Sequence, residues 1–488
     1  MTAGARATGP SASQPSARGC RDALGVAVLA FALRAVVVVW AKERFPPADD
    51  GIFYHAVAER IAHGAGYTWL WPDGAVTYAA HYPVGYPALL GLVYALFGAR
   101  PVVGMLAQAV LGAFAAYAAQ RAVAAYGSRR QALIAGLLLA LHPGLVVYTP
   151  ALMTEGVSAE LLVIAAWLTV RAGFRRGEPS RLVALGLCAG ALTLIRPQLL
   201  IMAPVFGFLA LDSAQARYRL RALRAGIVTA LAIAVCIPWT LRNCARMDRC
   251  VFVSANGGWN LLIGSAPEAN GSWIPIEGPA VPAACRQVFG EAEKDRCFGH
   301  AGLENIRRAP LAFLAKVPQK LSYTFDYFGA PGHYLHASNP AAFDDRSKVL
   351  LGAVETLAER LVLLFALLNA ALTGKARPGL RLAVAAPSAV FALARAGWLG
   401  YLGFALLVVL SGKELLKRPF LALSAALILA TAATHAVFFG AGRYGFVCAA
   451  LLCLAAVGRV TAGGNSLPSS GSRSAGGDRE GGDESPAR

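Results

Sequence analysis

Apolar runs of about 15–25 residues, parted by short polar or basic links, recur from residue 23 to residue 462. They lie near 23–40, 102–125, 131–149, 156–172, 181–195, 197–212, 225–241, 349–372, 419–439 and 445–462. Each is continuous rather than alternating, which predicts membrane-spanning helices and excludes a barrel. Residues 380–411 suit one generous span or two short ones, and basic segments on both sides favour an even number. The expected fold is therefore an all-α polytopic membrane protein with about twelve spans, within roughly eleven to thirteen.

Basic residues set the topology. Arg6/Arg18/Arg21, Arg121/Arg129/Arg130, Arg171/Arg175/Arg176/Arg181, Arg217/Arg219/Arg221/Arg224, Lys375/Arg377/Arg381 and Lys413/Lys417/Arg418 occupy links between spans and are placed on the cytoplasmic side. The first span then delivers Asp49 and Asp50 outside. Only one crossing is allowed between residues 50 and 128, and the longer run, 102–125, takes it. Pro87 to Phe97 is left along the outer surface as an amphipathic element, and residues 51–64 read as a second short amphipathic helix ending at Gly64.

The expected organisation is a disordered tail over 1–20, an N-terminal membrane module over 21–241 with its first outer loop at 41–101, an external segment over 242–348, C-terminal spans over 349–462, and a disordered tail over 463–488. The first span holds Arg34 and is followed by Lys-Glu-Arg, which is not the pattern of a cleaved signal peptide. No internal duplication is visible, which counts against an inverted-repeat transporter.

Composition sharpens this reading. The chain of 488 residues is 57% hydrophobic and 15% charged, against about 25% charged in soluble domains. Its net charge of +18 sits in the links and is a topology signal rather than a nucleic-acid footprint. Of the cysteines, Cys244, Cys250, Cys285 and Cys297 share the external segment. In an oxidising compartment they allow three connectivities, of which Cys244–Cys250 and Cys285–Cys297 is the short-range one. Four free thiols is the alternative.

Asp49/Asp50, Glu155, Arg196 and Arg443-Tyr444 reach the same outer face by this topology, although they are scattered along the chain. A carboxylate such as Asp50 can take a proton from an attacking hydroxyl or amine, while Asp49 shares that proton affinity or orients a metal ion. A solvated turn or a helix N-cap is the structural alternative for this pair. Glu155 either assists Asp50 or is a charge at a helix start. Arg196 and Arg443 offer paired donors for a phosphate, with His81 and Lys320 as further candidates. No metal cage, phosphate-cradling glycine loop or nucleophile elbow is present. The chain also lacks a nucleotide-sugar domain, so an activated donor reaching this face is expected to be carried by a lipid rather than by a nucleotide.

The stretches that carry a resemblance are Asp50-Gly-Ile-Phe-Tyr54-His55, Gly64-Ala-Gly66-Tyr67, His81-Tyr-Pro83-Val-Gly-Tyr86-Pro87, Thr193-Leu-Ile-Arg196-Pro197, Pro238-Trp239, Ser254-Ala-Asn256-Gly257-Gly258 and Arg443-Tyr444. In that order the chain resembles the GT-C membrane glycosyltransferases, in particular the glycosyltransferase 39 and aminoarabinose-transferase group. The resemblance implies a polyprenyl-phosphate-linked sugar donor, transfer on the periplasmic side of a bacterial inner membrane, and Asp50 as the catalytic aspartate. It also implies Tyr444 at the lipid phosphate, with Tyr54, His55, Tyr86 and Asn256 positioning donor or acceptor. A divalent metal, used by some relatives, is left open. The rival from another class is a transporter or lipid flippase with the outer carboxylates as a gate or proton relay; it calls for charged residues deep in several spans, and the sequence offers Arg34.

Overall fold

The computed structural model describes residues 17–174, 179–210, 217–373 and 377–457. The expected tail over 463–488, most of that over 1–20, and Arg6, Arg175, Arg176 and Lys375 lie outside these residues.

The first half runs α1 (Ala17–Ala41), α2 (Asp50–Ala62), a hairpin of β1 (Thr68–Leu70) and β2 (Val76–Tyr78), α3 (Gly85–Phe97), α4 (Pro101–Val123), α5 (Arg129–Leu141), α6 (Pro143–Val147), α7 (Thr154–Phe174), α8 (Pro179–Ile195), α9 (Met202–Leu209) and α10 (Tyr218–Arg246). The stretch after α10 holds α11 (Gly257–Ser265), α12 (Glu291–Arg308), α13 (Pro310–Ala315), α14 (Val317–Phe325) and α15 (Ala330–Ser338). The chain returns through α16 (Asp345–Ala371), α17 (Pro378–Leu393), α18 (Gly397–Val409), α19 (Pro419–Val437), α20 (Gly442–Phe446) and α21 (Ala449–Ala456).

Every expected apolar run carries helix. Among the described residues four helices are long and apolar enough to cross a membrane by length and composition: α1 from Arg18, α4, α10 and α19. The others are shorter, or carry charge as α7 does with Glu155 and Glu160 and α16 with Glu355, Glu359 and Arg360. The ambiguous 380–411 region resolves into two helices, α17 and α18, packed on one another. Between residues 50 and 128, α4 has the length of a span and α3 does not.

Three expectations need correction. The run 131–149 is broken at His142-Pro143, because proline starts α6 while His142 stays extended and caps it. The run 445–462 is also broken, into α20 and α21. Helix α1 begins at Ala17, inside the stretch expected to be disordered; Arg129 of α5 holds Asp22 of its second turn at 2.6 Å.

Close helix contact relies on small residues. Gly186 and Gly190 of α8 face Leu231 and Val235 of α10, and Gly207 of α9 meets the backbone at Arg224 and Ala225. A side chain at Gly112 of α4 would occupy the place of Arg34 and Glu160, which pair across α1 and α7 at 3.6 Å. Arg34 is thus not the lone buried ion that the sequence suggested. Glu160, Glu355, Glu359 and Arg360 are buried in the bundle as well, and His142 Nε2 lies 3.4 Å from Glu359.

Candidate active site

Five pieces of chain meet at one end of the bundle. Asp50 is the first residue of α2, and Thr154-Glu155 opens α7. Arg196 occupies the extended residue between α8 and a 3-10 turn over Pro197–Ile201, where Pro197 stops the helix. Arg443 lies in α20, and glycines in and just before this helix let it press onto α14 and the residues that follow: side chains at Gly440, Gly442 and Gly445 would strike the carbonyls of Lys320, Tyr327 and Thr324. Tyr82 comes from the link before α3. Beneath them the Tyr334 hydroxyl accepts the amides of Ala48 and Leu152, both at 3.3 Å, tying the approach to α2 to the approach to α7.

The charged groups form one continuous chain. Arg443 Nη1 donates to Asp50 Oδ2 at 2.8 Å, and its Nε lies 3.8 Å from Glu155 Oε1. Arg196 Nη1 reaches the same Glu155 oxygen at 3.1 Å and donates to Thr154 Oγ1 at 3.1 Å. The Tyr82 hydroxyl donates to Asp50 Oδ1 at 2.8 Å, and that of Tyr148 to Glu155 Oε2 at 3.3 Å. Tyr444 lies under both guanidiniums, 5.3 Å from Arg196 and 5.1 Å from Arg443, and stacks on His435 at 4.2 Å. Alongside lies a small pocket of about 20 Å³, lined by Arg196, Gln198, Thr431, Thr434, His435 and Tyr444.

Exposure ranks the two carboxylates. The Asp50 side chain keeps 23% of its surface and Glu155 only 3%, so Asp50 is the more accessible of the two. Burial by itself would push the Asp50 carboxyl up. The Arg443 guanidinium and the Tyr82 hydroxyl together outweigh it and hold the group below the usual carboxylate range. Asp50 is therefore ionised at neutral pH. Glu155 orients both arginines and has no oxygen turned outward.

Other sequence candidates fall elsewhere. Asp49 takes a positive φ of 49° and turns its carboxylate to His333, 3.5 Å away. It stands at the N-cap of α2 without making the side-chain capping bond. Lys320 is fully buried and gives its ammonium to the carbonyls of Ala436 and Val437 at the end of α19, at 3.2 and 3.1 Å. Burial pulls its pKa down to about 8. The His81 ring packs edge-on between Tyr82 and Trp259, and burial lowers its pKa, so it carries no dependable positive charge for a phosphate.

Tyr54 is a buried wall behind Tyr82, and Tyr86 donates to Gln108 at 3.1 Å within the core. His55 Nδ1 meets the Tyr94 hydroxyl at 2.9 Å on the α3 side. Asn256 opens α11 and accepts from Ser254 at 3.1 Å. Sequence reasoning missed Tyr82, Tyr148, Thr154 and Tyr334. Tyr82 stood inside a quoted motif, whereas nothing local marks Tyr148 or Tyr334.

The residues near Asp50 do not fit a divalent ion as arranged. Both Asp50 oxygens are engaged, by Arg443 and by Tyr82, and Asp49 diverges from it. Among the described residues no group of three or more His, Cys, Asp and Glu could hold a metal.

Residues 81–241, about a third of the chain, match the family model of the dolichyl-phosphate-mannose-protein mannosyltransferases. That stretch contains Tyr82, Glu155 and Arg196. No curated protein matches the chain. Among solved structures it is similar to the oligosaccharyltransferase of Archaeoglobus fulgidus in the apo form, at 14% identity and a TM-score of 0.48, over 89% of this chain and 50% of that one. It is similar to the same organism's oligosaccharyltransferase AglB in complex with an inhibitory peptide and a dolichol-phosphate, at 14% identity and a TM-score of 0.46, over 89% and 49%. It is also similar to ArnT from Cupriavidus metallidurans bound to undecaprenyl phosphate, at 16% identity and a TM-score of 0.38, over 89% and 78%. The chain thus spans about half the length of the archaeal structures it matches. None of these matches supports the transporter reading. The match over residues 81–241 agrees with the resemblance of the sequence to GT-C membrane glycosyltransferases.

Proposed function

We propose that this protein transfers a sugar from a polyprenyl-phosphate carrier to an acceptor on the outer face of a bacterial inner membrane. The observation that carries the reading is the ion chain Asp50–Arg443–Glu155–Arg196, drawn from residues nearly four hundred positions apart and set at one end of an apolar bundle. Buried ionisable groups at such a place are costly and call for a use.

Asp50 accepts the proton of an acceptor hydroxyl or amine as that atom attacks the anomeric carbon. The bond from that carbon to the phosphate oxygen breaks, and its electron pair leaves with the phosphate, which stays on the lipid. Arg196 and Arg443, fixed from below by Glu155 and backed by Tyr444, neutralise the departing anion. A donor phosphate that binds Arg443 competes with Asp50 for its guanidinium and frees the carboxylate. One base acting on an in-line displacement inverts the anomeric centre. No step uses a metal ion.

Mass analysis of envelope glycolipids, glycans and glycoproteins in cells with the native gene, without it, and with Asp50→Asn tests the proposal. The glycosylated species is expected to vanish in the last two at normal protein level, with a rate loss of about 100- to 10,000-fold for the variant. An unchanged product in the Asp50→Asn cells would sink it.

A further inference from the structure

The external segment does more than cover the bundle. Glu291, the first residue of α12, turns Oε2 toward the first outer loop and accepts the backbone amides of both Ala80 at 2.5 Å and His81 at 3.0 Å. From the opposite side the Ala80 carbonyl accepts the amide of Ala255 at 2.7 Å. The peptide just before Tyr82 is therefore held from two directions by residues far along the chain. Tyr82 itself is fixed by the Tyr67 hydroxyl, which donates to its carbonyl at 2.7 Å, and by the Phe53 ring at 4.7 Å. Its own hydroxyl is then aimed at Asp50.

Covalent links surround this contact. Cys285–Cys297 closes a twelve-residue loop whose midpoint in sequence is Glu291. One turn beyond Glu291, Asp295 Oδ1 accepts the amide of Trp259, whose ring packs on His81. Cys244–Cys250 closes the turn after α10, and from that turn Met247 and Val251 pack around Ala80, Ala255 and Ala292. Both disulfides thus brace the same small junction.

We propose that the Cys285–Cys297 loop is a clamp on the reaction centre, with Glu291 as a positioning residue that sets Tyr82 on Asp50. The proposal rests on Asp50 as the base and deepens that reading: a redox-sensitive external loop controls the geometry of the carboxylate. Without Glu291 the amides of buried Ala80 and half-buried His81 lose their acceptor, and the turn before Tyr82 is free to shift. A displacement of about an ångström at a reacting group is worth roughly 100-fold in rate. Opening Cys285–Cys297 leaves the start of α12 tethered on one side only, next to the exposed Phe289.

Two measurements on the full chain test this. In isolated membranes, with the endogenous donor and acceptor as probes, the Asp50-dependent product is followed by mass from pH 4 to pH 8. Glu291→Ala is expected to slow it about 10- to 100-fold and to move the acid limb toward higher pH, as Tyr82→Phe does. Combining the two should add no further displacement. Glu291→Gln, which keeps an acceptor oxygen, should retain most of the rate. Cys285→Ser with Cys297→Ser, or treatment with dithiothreitol, should reproduce part of the loss. A slower Glu291→Ala enzyme with an unmoved acid limb, or one at full rate, overturns the positioning role.

Hydrogen exchange on purified protein gives the second measurement. The peptide containing Ala80 and His81 should be protected, and should exchange at least 10-fold faster after Glu291→Ala or reduction. Unchanged exchange overturns the clamp whatever the assay shows. Product formation by Asp50→Asn, in contrast, removes only the reading of Asp50 as base, and exchange then decides the clamp alone.

Discussion

Asp50 has two carboxylate oxygens and two fixed partners, Tyr82 on one and Arg443 on the other. Burial raises its pKa, and these partners overcome that to lower it. The sign follows directly. A depressed carboxylate is active as a base above its folded pKa and loses activity as pH falls through it. Removing the Tyr82 hydroxyl raises that pKa, so the acid limb of the rate profile for Tyr82→Phe moves to higher pH while the plateau is less affected. A limb that stays in place would mean that Asp50 is not the titrating base. Arg443 is a sterner case because its fork serves Asp50 and Glu155 at once. Lysine has one point charge and no fork. Arg443→Lys is expected to lose about 100-fold or more in product formation, with protein level unchanged in membranes. Near-native rates would assign the phosphate to Arg196 alone.

Helices and their junctions explain what could be read in advance. Continuous apolar runs located every helix of the bundle, because a membrane solvent leaves the period of a helix as a plain length of apolar sequence. They did not show the breaks at His142-Pro143 and before Ala449, since proline and small residues occur inside spans as well as between them. Buried charge was also hidden. Arg34 was visible as an arginine inside an apolar run, but its partner Glu160 sits a full helix away on α7 and nothing local announces the pairing. Gly112 of α4 leaves the room that the pair fills. Breaking one partner strands the other in a dry interior, so Arg34→Leu or Glu160→Leu is expected to cost about 3–5 kcal/mol. The double change should cost less than either single one. Thermal unfolding of the detergent-purified variants, followed by the loss of monodisperse protein, decides it. Additive losses would show that the pair does not act as a unit.

At the level of the whole molecule, the site was half legible. Asp50, Glu155, Arg196 and Arg443 were recoverable because counting basic links put all of them on one face, and they do meet. Lys320 and His81 were drawn to the same face by the same count, yet one caps α19 and the other packs on Trp259. Sidedness selects a face and leaves position within it to packing between distant segments. The count itself makes a claim that can be measured on the whole chain. Cys20 lies exposed in the first turn of α1, and Asp73 lies exposed at the tip of the hairpin between α2 and α3, on the far side of one crossing. In cells whose outer barrier alone is permeable, a membrane-impermeant maleimide should leave Cys20 unlabelled and should label a protein carrying Asp73→Cys. Lysis should then expose Cys20. Labelling of Cys20 in intact cells, with Asp73→Cys protected, would put Asp50 on the cytoplasmic side. Nucleotide-activated sugars are available there, and the argument for a lipid-borne donor would lose its footing.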